Sequence, residues 1–294
     1  MVSGRLSAST ITNIKAYELW NEPNLNWDAA AGTFDDWWVR TFSYVRTLDK
    51  TTPIVGPSWN SWNEGLMSAF LTNAKANHTM PDYVSWHELQ GSARIPGDVA
   101  AYRALETGLG IAPLPISVNE YARAGEEGIP GDLIGYIAQF ERAGVDHACL
   151  GNWWPPLGSF DGLVVDNAQP NGAWWLYKWY GDMSGSMVST TLATESGLDG
   201  AASVDDATQV VSIILGGASG AGDVQIDGFD LLSCYGDSAQ VTLESVPSPG
   251  RTTAVAATTL VSTSTLPICK GSITIPLSSM IATSGYHLLI QPAL

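Results

Sequence analysis

Two glutamates stand out by type and position. Glu22 closes the segment Tyr17-Glu18-Leu19-Trp20-Asn21-Glu22-Pro23-Asn24, and Glu120 lies in Ser117-Val118-Asn119-Glu120-Tyr121. Each stands at the end of a short apolar run, Ile14 to Trp20 and Pro115 to Tyr121, of the length and bounding of a buried strand. Two carboxyl groups presented from two strand ends can split a glycosidic acetal. One, protonated, gives its proton to the leaving oxygen; the other, ionised, attacks the anomeric carbon or activates water to do so. A lone glutamate at a strand end is more often a solvated residue where a loop begins, so the weight rests on the pair and its surroundings.

The elements that must position the pair alternate. Five apolar runs, Ile14 to Trp20, Pro53 to Trp59, Tyr83 to Leu89, Pro115 to Tyr121 and His147 to Trp153, are each followed by a helical stretch. Thr33 reads as an N-cap with Asp36 at the third helical position, and Ser61-Trp62-Asn63-Glu64 as a capping box. Further helices are predicted near Asp98 to Leu109, Asp132 to Ala143 and Gly172 to Met183. Each strand–helix unit spans roughly 30–35 residues, as in a barrel of alternating strands and helices, where the strand C-termini form the active face. The expected fold class is α/β: a partial (β/α)8 TIM barrel of five βα units over residues 1–184, then a small antiparallel β-sandwich over 185–294. After Gly185 the composition turns to Ser, Thr, Gly and Val, and runs such as Gln209 to Leu215, Asp223 to Ile226, Gln240 to Val246, Ser272 to Leu277 and Tyr286 to Ile290 read as strands.

Composition limits the partners. The formal net charge is −16, from 29 acidic and 13 basic residues. An acidic surface repels phosphate backbones and anionic lipid, so neither nucleic acid nor a membrane is an expected partner, whereas a neutral sugar is indifferent to that field. The 12 tryptophans suit both cores and sugar-stacking surfaces. Cys149, Cys234 and Cys269 show no metal-ligand spacing, and Cys234 with Cys269 are candidates for a disulfide. No metal or organic cofactor is expected. The sequon Asn77-His78-Thr79 and the scarcity of lysine suggest an extracellular protein, although the first residues lack the apolar core of a signal peptide.

The segment from Tyr17 to Asn24 resembles the acid/base motif of the retaining clan A glycoside hydrolases and is most similar to that of glycoside hydrolase family 39, with Tyr17 where Phe is more usual and Lys15 where Trp is expected. That resemblance implies Glu22 as general acid/base at the end of barrel strand four and Glu120 as nucleophile at the end of strand seven. Two predicted strands do separate them. It further implies that Asn21 binds the sugar 2-hydroxyl and that His87, in Val84-Ser85-Trp86-His87-Glu88, orients Glu120 or touches substrate. Trp153 or Trp154 would lie under the reacting sugar, and Tyr121 would join the substrate contacts. The substrate class implied is an oligosaccharide or polysaccharide, cleaved by double displacement. A transglycosidase, or a non-catalytic carbohydrate-binding relic, would preserve the same motifs. Strands one to three have no counterpart before Ile14, so the chain is expected to be an N-terminally truncated form, unstable or poorly active alone, and its oligomeric state is not legible.

Overall fold

The computed structural model describes residues 13–151, 162–165, 168–192 and 197–293. The chain divides into two compact units, Met1–Tyr121 with Ala143–Gly151, and Ala122–Arg142 with Asn152–Leu294. The change in sequence texture at residue 185 therefore falls inside the second unit.

The first unit is a curled, half-barrel parallel sheet of five strands in sequential order: β1 (Tyr17–Glu18), β2 (Ile54–Trp59), β3 (Tyr83–Glu88), β4 (Ile116–Tyr121) and β5 (His147–Leu150). Between them run the helices α1 (Pro23–Asn26), α2 (Phe34–Leu48), α3 (Glu64–Ala76) and α4 (Ile95–Leu109). Every residue of β2 is buried, as continuous apolar strands covered on both faces require. The α2 cap is the expected one: Thr33 Oγ1 accepts from Asp36 N at 3.1 Å. The α3 cap differs. Asn63, not Ser61, accepts from Leu66 N at 3.0 Å, and the helix starts at Glu64. Trp62, edge-on to Trp86 at 5.2 Å and to Tyr102 at 6.1 Å, is drawn into the core ahead of the first helical turn. The first strand covers Tyr17–Glu18 rather than the whole predicted run, and pairs with β2 alone.

The second unit holds α5 (Pro130–Ala143, all but its last residue), a hairpin of β6 (Val164–Val165) and β7 (Gln169–Pro170), and α6 (Gly172–Asp182). Two antiparallel sheets follow. The larger comprises β8 (Ser186–Val188), β9 (Asp199–Val204), β10 (Val211–Gly216), β12 (Ser238–Val246), β13 (Thr259–Pro267) and β15 (Gly285–Pro292), in the order β13-β12-β15-β10-β9-β8. The smaller pairs β11 (Gly220–Asp227) with β14 (Ser272–Met280). One apolar cluster, including Ile213, Leu215, Leu288, Ile273 and Ile275, is shared by both sheets, which makes the pair a sandwich. Gly131 carries the approach of α5 to the turn before β15: its N–H donates to Thr283 O at 3.1 Å, and a Cβ there would meet Ala282 O at 1.9 Å. All three cysteines are free. Among the described residues no helix is long and apolar enough to cross a membrane.

On the larger sheet, Ser212 Oγ lies 2.9 Å from His287 Nε2, and His287 Nδ1 lies 3.4 Å from Glu244 Oε2. These are the residue types of a hydrolytic triad, but the setting is wrong for one. Ser212 sits mid-strand between β9 and β15, in register with Ser203 and Leu289. The backbone N–H groups around it are taken by the ladders, so no pair of donors is left for an oxyanion. Trp179 stacks on the imidazole at 5.3 Å. The network ties three neighbouring strands together beneath α6, and burial pushes the His287 pKa down.

Candidate active site

The site is built at the C-terminal ends of β1 to β4, within the first unit. Strand alternation on β3 sends Trp86 toward α4, where it meets Tyr102 at 5.5 Å, and so sends Ser85 and His87 to the opposite, inner face. Two bulges then break the alternation on the neighbours. Pro57 pairs with Ser85 but Trp59 pairs with Trp86, which leaves Ser58 as an extra residue in β2, with left-handed φ of 62°. Its hydroxyl thereby reaches Ser85 Oγ at 2.9 Å instead of following Gly56 toward α2. On β4, Val118 pairs with Trp86 and Tyr121 with Glu88, so Asn119 and Glu120 together stand opposite His87 alone. A bulge re-aims side chains, and here both neighbours serve the inner face: Asn119 Nδ2 donates to Ser58 Oγ at 3.2 Å, while Glu120 reaches His87.

Glu22 arrives differently. It precedes α1, with Pro23 at the first helical position, and adopts a left-handed backbone at φ 48°, ψ 56°. For a residue with a side chain this conformation costs on the order of 1 kcal/mol or more, and it persists only where the surroundings enforce it. The enforcement is visible. Glu22 N donates to Ser58 O at 2.9 Å, Asn24 Nδ2 donates to Asn60 Oδ1 at 2.6 Å, and Asn60 N donates to Asn24 Oδ1 at 3.1 Å. Trp20 packs edge-on against Trp27 and Trp37, each at 5.2 Å. Asn26 Nδ2 donates to Glu22 Oε2 at 3.3 Å.

The outcome is a compact trio. His87 Nδ1 lies 3.3 Å from Glu22 Oε1 and 3.5 Å from Glu120 Oε2, and the three ligand-bearing atoms all fall within 4.8 Å of one another. The imidazole is fully buried, and the carboxylate side chains keep 20% and 17% exposure. Burial pushes His87 down to about 4, so the ring is neutral at neutral pH; neither ring nitrogen makes a hydrogen bond of good geometry. Of the other residues expected here, Asn21 is exposed beside Glu22, and Tyr121 is buried at 3% exposure, in register with Glu88 rather than His87. Trp153 and Trp154 lie outside the described residues. Ser58, Ser85 and Asn119 form a floor that strand alternation alone does not reveal.

Glu88 lies directly behind the trio on the helix side, 2% exposed, accepting from Trp86 Nε1 at 2.6 Å. Burial pushes its carboxyl up to about 7, against the pull of Trp86 and Arg94. The two neighbours titrate in opposite senses. The folded pKa of Glu88 is raised, so its contribution is whole below the unfolded value near 4.5 and is lost as pH rises through about 7. That of His87 is depressed, so its contribution is lost as pH falls from about 6.5 toward about 4. Between pH 4.5 and 6.5 the slopes offset each other. Glu88→Gln should therefore leave stability unchanged at pH 4.5 and raise it by about 3 kcal/mol at pH 8, at about 1.4 kcal/mol per pK unit. Urea denaturation of both proteins at pH 4.5, 6 and 8 measures this; an equal gain at all three values would refute the assignment.

No protein-family profile matches the chain. It is 27% identical, over 91% of its length, to the 3-O-alpha-D-galactosyl-alpha-L-arabinofuranosidase of Bifidobacterium longum subsp. longum. It is 26% identical, over 85% of its length, to the 3-O-beta-L-arabinopyranosyl-alpha-L-arabinofuranosidase of Bifidobacterium pseudocatenulatum. The alignments take in 25% and 27% of those proteins, so the chain spans about a quarter of the curated relatives it matches. Among solved structures, the N2152 protein from Neocallimastix frontalis superposes with TM-score 0.94 at 35% identity, covering 99% of this chain and 73% of that one. The GH39 enzyme from Xanthomonas axonopodis pv. citri superposes with TM-score 0.71 at 16% identity, covering 99% and 71%.

Proposed function

We propose that this chain, which resembles the clan A glycoside hydrolases and family 39 among them, carries the reacting pair of a retaining glycosidase, with Glu22 as acid/base and Glu120 as nucleophile. The observation that carries this reading is the closeness of the two carboxylates, whose nearer oxygens lie within 4.8 Å of one another and both approach Nδ1 of the buried His87. Retaining enzymes hold the pair roughly 5–5.5 Å apart, whereas inverting ones need roughly 6.5–9.5 Å to admit a water. Protonated Glu22 donates to the glycosidic oxygen as Glu120 attacks the anomeric carbon. Deprotonated Glu22 then activates the water that releases the sugar. His87, buried and neutral, stands with Nδ1 close to both carboxylates and adds no positive charge beside them.

The five parallel strands are read as strands four to eight of an eight-stranded barrel, with the remainder of the pocket supplied by strands one to three of the complete architecture. The names of the two Bifidobacterium relatives make α-L-arabinofuranosides the substrate class to try first. Cleavage of an aryl α-L-arabinofuranoside in the presence of methanol tests the stereochemistry. Retention predicts the methyl α-L-arabinofuranoside, read by proton NMR; the β-anomer as first product would sink the mechanism. Sugar binding with no turnover would favour the non-catalytic relic instead.

A further inference from the structure

Resting on the reading of Glu22 and Glu120 as the reacting pair, we propose that Glu22, His87 and Glu120 also form a binding site for a borderline divalent cation, with Zn2+ the best fit, and that this ion and the reacting sugar exclude one another. An ion holding nitrogen and oxygen ligands tetrahedrally at roughly 2.0–2.2 Å needs its ligand atoms roughly 3.3–3.6 Å apart. His87 Nδ1 already stands 3.3 Å from Glu22 Oε1 and 3.5 Å from Glu120 Oε2. The third edge, within 4.8 Å, closes with a small swing of either partly exposed carboxylate.

The two carboxylates are only part of the ligand set. The independent observation is His87, which has no exposed surface and neither of whose ring nitrogens has a hydrogen-bond partner. A buried imidazole nitrogen directed at two carboxylates, yet making no hydrogen bond of good geometry to either, is a ligand set for a metal as much as a support for catalysis. One nitrogen and two carboxylate oxygens suit zinc. Magnesium and calcium, which take six to eight oxygens, find too few here. The anomeric centre must sit between the same two carboxylates, so the ion occupies the space the chemistry needs.

The deciding experiment is titration of the chain with ZnCl2, followed by calorimetry, in a background where Cys149, Cys234 and Cys269 are serine, because exposed thiols also hold zinc. One ion per chain is expected, with affinity weakened at least tenfold by His87→Ala and by Glu120→Gln, and MgCl2 binding at least a hundredfold more weakly. Glu120→Gln, nearly isosteric, keeps the test valid if His87→Ala fails to fold, which near-ultraviolet circular dichroism would report. Absence of stoichiometric binding, or zinc affinity indifferent to Glu120→Gln, overturns the site. With turnover present, zinc should raise KM and leave kcat unchanged; an unchanged KM at saturating zinc overturns the exclusion. If the glycosidase reading itself is wrong, metal-free protein shows no turnover while the titration still gives its own answer.

Discussion

Glu120→Gln should lower kcat/KM on a glycoside by on the order of 10⁴-fold or more, because it replaces the carboxylate that forms the covalent intermediate with a neutral, weakly nucleophilic amide. Glu22→Gln should behave differently. General acid catalysis contributes about 10²–10⁴-fold, and that contribution matters only when the leaving group needs a proton. The loss should therefore be large on a sugar leaving group and small in the first step on a dinitrophenyl glycoside, where deglycosylation becomes limiting. Added azide separates the two roles. With Glu22→Ala it should attack the glycosyl-enzyme and give a glycosyl azide of retained configuration. With Glu120→Gly it should attack the substrate directly and give the inverted azide. Exchanged products would exchange the assignments, and equal losses for Glu22→Gln on both leaving groups would remove Glu22 from the acid role.

The two glutamates and His87 were legible because their local sequences place each at the end of an apolar run, and the structure brings all three within reach of one another. What surrounds them was not. A period of two assigns Asn119 and Glu120 to opposite faces, and only the bulge against β3 puts both on one side. The same holds for Ser58, whose left-handed backbone turns it from the helix side to the floor of the site. Glu22 carries a left-handed φ with no glycine to announce it, since the tie from Asn24 to Asn60 spans 36 positions. In the second unit, Asp199–Val204 reads poorly as a strand because Asp, Gly and Ala have low strand preference, yet it is held by β8 and β10 on both sides. Thr259–Pro267 is an edge strand, largely exposed, and shows no alternation to read.

The strength of the fold reaches the site along a traceable route, and Trp38 is where it should break most visibly. Trp38 is 1% exposed, packs against Phe70 at 4.9 Å and Phe42 at 6.0 Å, and donates its indole N–H to Thr79 O at 2.9 Å. Its ring lies over Gly56 so closely that a Cβ there would meet it at 2.5 Å. The indole and the bare backbone are complementary, so α2 is seated on β2 at that point. Trp38→Ala should cost about 3–5 kcal/mol, the range for emptying a large aromatic site. Trp38→Phe should cost less, since it keeps most of the apolar contact and loses chiefly the bond to Thr79. Gly56→Ala should destabilise by about 1–3 kcal/mol through overpacking. In Gly56→Ala with Trp38→Phe the losses should add to less than their sum, because the smaller ring makes room for the methyl group. Two residues beyond Gly56, Ser58 accepts from Glu22 N and holds its left-handed turn. Partial unseating of β2 should therefore lower kcat in Trp38→Phe beyond what the folded fraction explains, with denaturation and kinetics measured on the same samples. Strict proportionality between activity and folded fraction would mean that β2 holds Glu22 no more tightly than the helix that follows it.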